Sequence, residues 1–279
     1  MKKKLALIMS VAAALCLCFA LAGCGNDSQP SNAGNVETDG MTFVVGFDKA
    51  FPPYGYVGDD GEYTGFDLDL AAAVCEKNGW EFKAEPIDWD AKDALINQGD
   101  ITCIWNGFTY EGREDKYAWA GPYMGNGQVV VVKADSDITK LADLADKAVI
   151  TQADSSTIEA LDSDEWKDLQ ASFKGGKVQT ISDFNNAFMQ LESGTVDAVA
   201  CDLSIAAYQL AAKPDAYKQL DEQLSEEHFA IGFKKDENGQ ALAEQVAETL
   251  KALDADGTVK EICEKYADQG ISYAGWCLK

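Results

Sequence analysis

The chain has 279 residues, of which 23 are basic and 47 acidic, and its formal net charge at pH 7 is −24. A field this negative repels phosphate backbones and anionic lipid surfaces, so nucleic acid is not expected as a partner. Hydrophobic residues make up 47% of the chain, which is enough for the core of one large domain or two modest domains.

The first 23 residues are organised like an export signal. Lysines at positions 2–4 precede an uncharged stretch over 5–22, and small residues follow. This order predicts a signal peptide over 1–23 that is removed on maturation. The ending Leu21-Ala22-Gly23-Cys24 resembles a bacterial lipobox, in which the cysteine is acylated and becomes the new N-terminus. A membrane-spanning helix is the alternative, because a stretch of this length can just cross a hydrocarbon core of about 30 Å.

Residues 24–41 follow as a predicted flexible tether. Beyond the lipidated Cys24 they are polar and have almost nothing to bury. Together the leader and the tether predict an extracytoplasmic protein that is held to the cell membrane by lipid.

In the first half of the remaining chain, predicted strands alternate with predicted helices. Strands are predicted at 41–47, 81–87 and 101–105, and helices at 66–78 and 91–97, with Gly79 and Gly99 as stops. The run Gly58-Asp59-Asp60-Gly61 predicts a hairpin tip. A polar cluster at 106–109 is expected to follow the third strand.

A similar order recurs later in the chain. Strands are predicted at 147–152, 177–181 and 196–201, and helices from Ser156 and over 183–192, with Gly194 as a stop. Asp202 follows the last of these strands, as the cluster at 106–109 follows its counterpart.

This alternation predicts an α/β fold of two units with largely parallel sheets, whose ligands bind beyond the carboxyl ends of strands. Residues 129–133 and 229–234 are predicted to pass between the units as a two-stranded hinge, and a helix over 239–253 to rejoin the first. The predicted domains are lobe 1, residues 42–130 and 233–279, and lobe 2, residues 131–232.

Cysteine and histidine usage limits the chemistry. Cys263 and Cys277 lie near the C-terminal end, and an exported protein permits a disulfide between them. His228 is the only histidine, and the neighbouring Glu226 and Glu227 indicate an exposed loop. A zinc site or a Ser-His-Asp triad would depend on that one residue. We therefore expect no metal, no cofactor and no catalytic residue.

Arg113 is the only arginine, which leaves lysine to supply every other basic side chain. A guanidinium binds a carboxylate through two parallel hydrogen bonds, whereas lysine is a point charge. We predict that Arg113 holds the carboxylate of a small ligand. The alternative is a stray arginine in a lysine-biased chain.

Five segments in this order resemble the polar-amino-acid-binding proteins of ABC importers. They are GFDKAFPPY at 46–54, GEYTGFDLDL at 61–70, WNGFTYEGR at 105–113, QADSST at 152–157 and DGT at 256–258. The resemblance covers nearly all of residues 41–270. It implies a type II periplasmic-binding-protein fold, in which each of two lobes has a mixed sheet flanked by helices and the cleft closes on one amino acid.

The resemblance also implies roles for residues in both lobes. In lobe 1, Arg113 matches the arginine that binds the ligand's α-carboxylate, assisted by the backbone of Gly107 and the hydroxyl of Thr109. In lobe 2, Ser155 or Ser156 supplies further carboxylate donors.

Asp202 matches the acid that binds the α-ammonium. Its alternative is a helix N-cap before Leu203. A guanidinium and a carboxylate on separate lobes make full ligand contact only in the closed state, which the ligand therefore favours.

Aromatic residues are expected to shape the pocket. Phe51, Tyr54 and Trp89 match positions where relatives place rings against the ligand's side chain, although each could instead pack in the rim or core. Asp48 lies near these rings and could recognise a polar side chain, with a solvated loop acid as the alternative.

The leading function is a monomeric transport receptor that binds a free polar L-amino acid and delivers it to ABC permease subunits. The alternative is a periplasmic dehydratase-like enzyme on the same scaffold, which needs a tuned general acid or base. Glutamine, cystine, arginine and lysine all stay open as ligands. Glutamate and aspartate are disfavoured because the chain has no second arginine.

Overall fold

The computed structural model describes residues 40–279. The predicted signal peptide, Cys24 and nearly all of the predicted tether lie outside the described residues. Within residues 40–279, no helix combines the length and the apolar character needed to cross a membrane.

Eleven strands and eight α-helices follow one another through this part of the chain. The strands are β1 Thr42–Phe47, β2 Ala50–Phe51, β3 Gly55–Val57, β4 Tyr63–Thr64, β5 Glu81–Pro86, β6 Cys103–Thr109, β7 Ala118–Lys133, β8 Val149–Gln152, β9 Gln179–Ile181, β10 Ala198–Asp202 and β11 Tyr217–Phe233. The helices are α1 Phe66–Asn78, α2 Lys92–Gln98, α3 Ser156–Asp162, α4 Lys167–Ser172, α5 Phe184–Ser193, α6 Leu203–Ala212, α7 Glu237–Ala255 and α8 Thr258–Lys265.

Eight strands form one mixed sheet in the order β5-β1-β6-β11-β7-β10-β8-β9. Strands β5, β1 and β6 are mutually parallel, and we call them the first strand group. Strands β9, β8 and β10 are also parallel, and we call them the second strand group. The long antiparallel strands β7 and β11 separate the groups and are the crossing strands. This arrangement confirms the predicted α/β class, while the lobe boundaries stay a prediction.

The carboxyl ends of the two groups meet midway along the crossing strands. Thr109 ends β6 and pairs with Phe229, which in turn pairs with Met124. Asp202 ends β10 and pairs with Gln128, four positions along β7 from Met124. Because the two groups run in opposite directions, the residues that follow their strands face a common space.

The glycine stops that the sequence predicts are confirmed. Gly79, Gly99 and Gly194 cap α1, α2 and α5 in the left-handed conformation, which glycine adopts without steric cost. At the start of α5, the Asp183 side chain accepts a hydrogen bond from the Asn186 N–H.

Two predictions about individual segments are wrong. The cluster at 106–109 belongs to β6 itself, because Phe108 and Thr109 pair with Ala230 and Phe229 of β11. Residues around His228 form part of β11 and not a loop.

The predicted disulfide is also corrected, since Cys263 and Cys277 are both free thiols. Cys263 is buried in the core on α8, whereas Cys277 is exposed near the C-terminus. Within residues 40–279, no group of three or more His, Cys, Asp or Glu side chains is arranged to hold a metal ion.

Candidate functional site

A small cavity lies where the two strand groups meet. Its lining consists of Phe51, Trp89, Gly107, Thr109, Arg113, Gln152, Ser155, Ser156, Phe184 and Asp202. Eight of these are residues that the sequence singles out. The cavity measures about 20 Å³, a volume on the order of one water molecule, so a larger guest can enter only when its walls move apart.

Arg113 is almost fully buried in this lining, with 5% of its surface exposed. It lies in the turn after β6, where its N–H donates to the Tyr110 carbonyl. Its guanidinium lies 5.2 Å from the Phe108 ring, and Nη1 donates to the Thr109 carbonyl at 3.3 Å. Its charged partner is Glu159 of α3, at 3.4 Å from Nε. A desolvated guanidinium held in this way is well placed to receive a carboxylate.

Gly107 lines the cavity, but its predicted donor role does not hold. Its N–H donates to the buried carboxylate of Asp67 at 2.7 Å, so that hydrogen is already engaged. Burial raises the pKa of Asp67 to about 7, and Tyr123 O–H donates to the same carboxylate. Gly107 has φ +56°, and a Cβ there would meet the Phe51 ring at 2.7 Å. Because glycine has no side chain, it leaves room at this position for the Phe51 ring.

Hydroxyl groups from both strand groups come together beside Arg113. Thr109 Oγ1, at the end of β6, lies 3.1 Å from Ser156 Oγ at the start of α3. Ser155 Oγ lies 3.2 Å from Thr151 Oγ1. The structure thus brings together the predicted donors Thr109, Ser155 and Ser156.

Asp202 also lines the cavity and is 3% exposed. Its Oδ1 accepts hydrogen bonds from Asn126 Nδ2 at 2.9 Å and Gln128 Nε2 at 2.8 Å. Although Asp202 precedes α6, its side chain makes no capping hydrogen bond to that helix. The capping alternative is therefore wrong. Burial, followed by the charge of Glu227, raises the pKa of Asp202 to about 7.

Glu227 is a buried acid at this site that the sequence reasoning missed. Its Oε1 accepts from Gln128 Nε2 at 2.6 Å, Asn126 Nδ2 at 2.7 Å and Thr109 Oγ1 at 2.9 Å. Burial raises its pKa. Side chains alternate along β11, so Glu227 points inward while Glu226 and His228 are exposed. Alternation of inward and outward side chains over residues 226–228 is the sequence signal that could have identified Glu227.

Three aromatic residues, Phe51, Trp89 and Phe184, line the cavity. Phe51 and Phe184 approach with ring centroids 6.0 Å apart, and Trp89 stands edge-on to Phe108 at 5.5 Å. Phe184 was missed because its spacing in α5 indicates only a core-facing helix position. Tyr54 is outside the lining and is 2% exposed, packed against Phe229 with centroids 5.1 Å apart, which fits the core-packing alternative.

Asp48 also lies outside the central lining. Its Oδ2 accepts from Gln152 Nε2 at 2.6 Å, and Oδ1 accepts from the Ala50 N–H at 2.8 Å. It faces a second cavity of about 370 Å³, and Trp89 lines both cavities. The lining of the second cavity includes four aspartates and one lysine: Asp48, Asp88, Asp90, Asp183 and Lys49.

Lys92 of α2 forms an ion pair with Asp154, which follows β8. Lys92 is 3% exposed and lies 4.9 Å from the Trp89 ring, while Asp154 has φ +58°. The pair joins elements of the two strand groups at the edge of the site. Burial lowers the pKa of Lys92, and the hydrogen bond that Lys92 donates to Asp154 opposes that shift.

The family model for bacterial extracellular solute-binding proteins, family 3, matches residues 43–269. The chain is 28% identical over 229 residues to the L-cystine-binding protein TcyJ of Escherichia coli, covering 81% of this chain and 82% of that protein.

Solved structures match as well. An ABC uptake transporter substrate-binding protein from Streptococcus pneumoniae with bound histidine is 33% identical, with a TM-score of 0.78 over 83% of this chain and 94% of that one. The arginine-, lysine-, histidine-binding protein ArtJ of Geobacillus stearothermophilus is 28% identical, with a TM-score of 0.72 over 81% and 95%.

Proposed function

Because the chain belongs to the bacterial extracellular solute-binding proteins, family 3, we propose that it captures one free polar L-amino acid and delivers it to an ABC permease. The observation that carries the proposal is the placement of Arg113 and Asp202 in one cavity, on elements of different strand groups. A buried fork of donors and a buried carboxylate match the two charged ends of a zwitterion.

In this proposal, Arg113 binds the α-carboxylate with help from the hydroxyls of Thr109 and Ser156. Asp202 binds the α-ammonium. The site must open for entry, since its central cavity of about 20 Å³ is far smaller than an amino acid. Contacts to both ends exist together only after reclosure, so the amino acid stabilises the closed state by its differential contacts.

The second cavity supports a ligand with a cationic side chain. A side chain that extends past Trp89 meets a space of about 370 Å³ with four aspartates and one lysine in its walls. Among the amino acids that the sequence leaves open, this excess of acids favours arginine or lysine. A histidine-bound relative and the relative named for arginine, lysine and histidine are in keeping with that preference.

Transport is favoured over the dehydratase-like alternative. The family consists of solute-binding proteins. Asp202 and Glu227 form a carboxylate pair of the kind that acid–base chemistry uses, yet side-chain amides of Asn126 and Gln128 engage both acids. Mass spectrometry of an incubated amino acid separates the two functions. Transport leaves the amino acid unchanged, whereas dehydration lowers its mass by about 18, the mass of one water.

We also propose that the protein acts as a monomer anchored through lipid on Cys24. The support for the anchor is the lipobox-like sequence at 21–24 in a chain of an extracytoplasmic family. Intact-mass spectrometry of the membrane fraction tests it: a diacylglyceryl-cysteine N-terminus is expected, and an unprocessed N-terminus would refute it.

A thermal-shift screen of the twenty common amino acids plus cystine and ornithine tests the binding function. A tight ligand stabilises the fold by about 4 kcal/mol at 1,000-fold excess over its dissociation constant. We expect a cationic amino acid to give the largest shift. No shift with any of them would refute the proposal.

A further inference from the structure

The acids Asp202 and Glu227 share their hydrogen-bond donors. Gln128 Nε2 lies 2.8 Å from Asp202 Oδ1 and 2.6 Å from Glu227 Oε1. Asn126 Nδ2 lies 2.9 Å and 2.7 Å from the same two oxygens. The two carboxyl oxygens are therefore bridged twice, each time by a single nitrogen, and stand close to each other.

The groups around the pair supply little positive charge. Thr109 and Ser156 add neutral hydroxyls. Arg113 is the cation that faces Glu227, and it lowers the pKa of that acid, but its own close contacts are Thr109 and Glu159. Tyr54 and Cys201 face Asp202 as ionisable neighbours, and burial keeps the pKa of each well above its ordinary value.

Two buried carboxylates this close cannot both ionise cheaply without a cation between or beside them. They behave as a unit that holds one proton across a pH range in which separate acids would have none. The α-ammonium of an amino acid is the cation that the proposed function brings to this place.

We infer that Glu227 is a second carboxylate of the α-ammonium site, and that binding of the amino acid releases the proton that it shares with Asp202. This inference rests on the proposed function. The α-ammonium arrives with its own charge, the O–H bond of the shared proton breaks, and the proton passes to the buffer. The site then holds two carboxylates and one ammonium, with no covalent bond to the ligand.

The inference fixes the sign of a pH dependence. The pair has raised pKa values in the ligand-free fold, with Asp202 at about 7. Below that pH a proton must leave on binding, so the association constant rises about tenfold per pH unit and then levels off above it. For the ligand-free fold the sign is opposite: its stability falls as pH rises from about 4 to 7, because the unfolded acids bind fewer protons than the folded ones.

Isothermal titration calorimetry at pH 6 in phosphate and in bis-Tris tests this. Both buffers accept protons at pH 6 but differ in ionisation enthalpy, so the difference in binding enthalpy counts the protons released. The probes are L-arginine, L-lysine, L-glutamine and L-cystine, titrated into the wild type, Glu227→Gln and Glu226→Gln. Glu226 is the matched control, since it is the exposed neighbour on the same strand.

We expect the wild type and Glu226→Gln to release close to one proton with any probe that binds, and Glu227→Gln to release less than about half of one. Asp67 is the other acid whose pKa is raised to about 7. Because all three proteins keep Asp67, any proton that it releases cancels when the variants are compared with the wild type. Equal release by Glu227→Gln and the wild type would overturn the role of Glu227.

A wild type that binds a probe without releasing a proton would overturn the inference and leave the proposed function standing. If none of the four probes binds, the result would count against both the shared proton and the proposed function. If Glu227→Gln does not fold, the wild type decides alone: an association constant that stays level between pH 5 and pH 8 overturns the shared proton.

Discussion

In the proposed site, the two ends of the amino acid meet different kinds of charged group. The end built on the first strand group has Arg113, whose charge is permanent and whose fork supplies directional donors. The opposite end has two titratable acids, Asp202 and Glu227, held by neutral amides. In our proposal, recognition at the guanidinium end depends on geometry, whereas recognition at the acidic end also depends on protonation. A mutation series can separate these dependences.

The largest effect is expected from Asp202→Asn, which removes the acid that lines the cavity. Truncating one partner of a buried charge contact costs about 2–5 kcal/mol, so the dissociation constant should rise by roughly 30-fold to several thousand-fold. Ligand-free thermal stability at pH 8 should stay unchanged or increase, because Asp202 makes no capping bond and is costly to ionise. Calorimetry and thermal unfolding measure the two quantities. Unchanged affinity would remove Asp202 from the site.

Arg113→Lys tests the other end with the charge retained. Loss of the fork should weaken binding by roughly 2–3 kcal/mol, or about 30- to 150-fold, at every pH. Lys116→Gln is the matched control, because Lys116 is exposed and also approaches Glu159. A pH-dependent loss, or equal losses in both variants, would contradict the contrast between the two ends.

A smaller effect should appear at the second cavity. Asp88 is exposed, lines that cavity and makes no capping bond. In Asp88→Asn, affinity for L-arginine should fall by roughly 1.4- to fivefold, since exposed charge pairs contribute about 0.2–1 kcal/mol. Affinity for L-glutamine should not change. Asp59→Asn, in the exposed hairpin turn, is the control, and an equal loss for both amino acids would argue against a cationic side-chain preference.

The smallest effect concerns the ion pair between Lys92 and Asp154. Asn tolerates the left-handed backbone at this position as aspartate does, so Asp154→Asn removes charge without new strain. Affinity should fall about threefold, because Asp154 is half exposed and closure loses one contact between the strand groups. Stronger binding in this variant would show that the pair does not favour the closed state.

How well the sequence predicts these regions depends on whether the signal is local. Gly79 and Gly194 end helices through their own backbone preference, and both stops are confirmed. Arg113 was identified by its rarity and by the family resemblance, which also pointed to Asp202. Both lie in the cavity lining.

Residues whose role depends on long-range contacts could not be predicted in this way. Glu227 is functional in our account because β11 brings it beside β7 and β10, and its charged neighbours hid the alternation that turns it inward. Gly107 lost its predicted donor role to Asp67, forty positions away along the chain. A disulfide between Cys263 and Cys277 was predicted because an exported protein meets oxidising conditions. The structure instead places one thiol in the core and the other at the surface.

The most direct test of the central claim is a crystal structure of the protein with the amino acid that gives the largest thermal shift. We predict that the Arg113 guanidinium makes two hydrogen bonds to the α-carboxylate and that Asp202 accepts one from the α-ammonium. An occupied site in which either side chain is turned away from the bound amino acid would contradict the account.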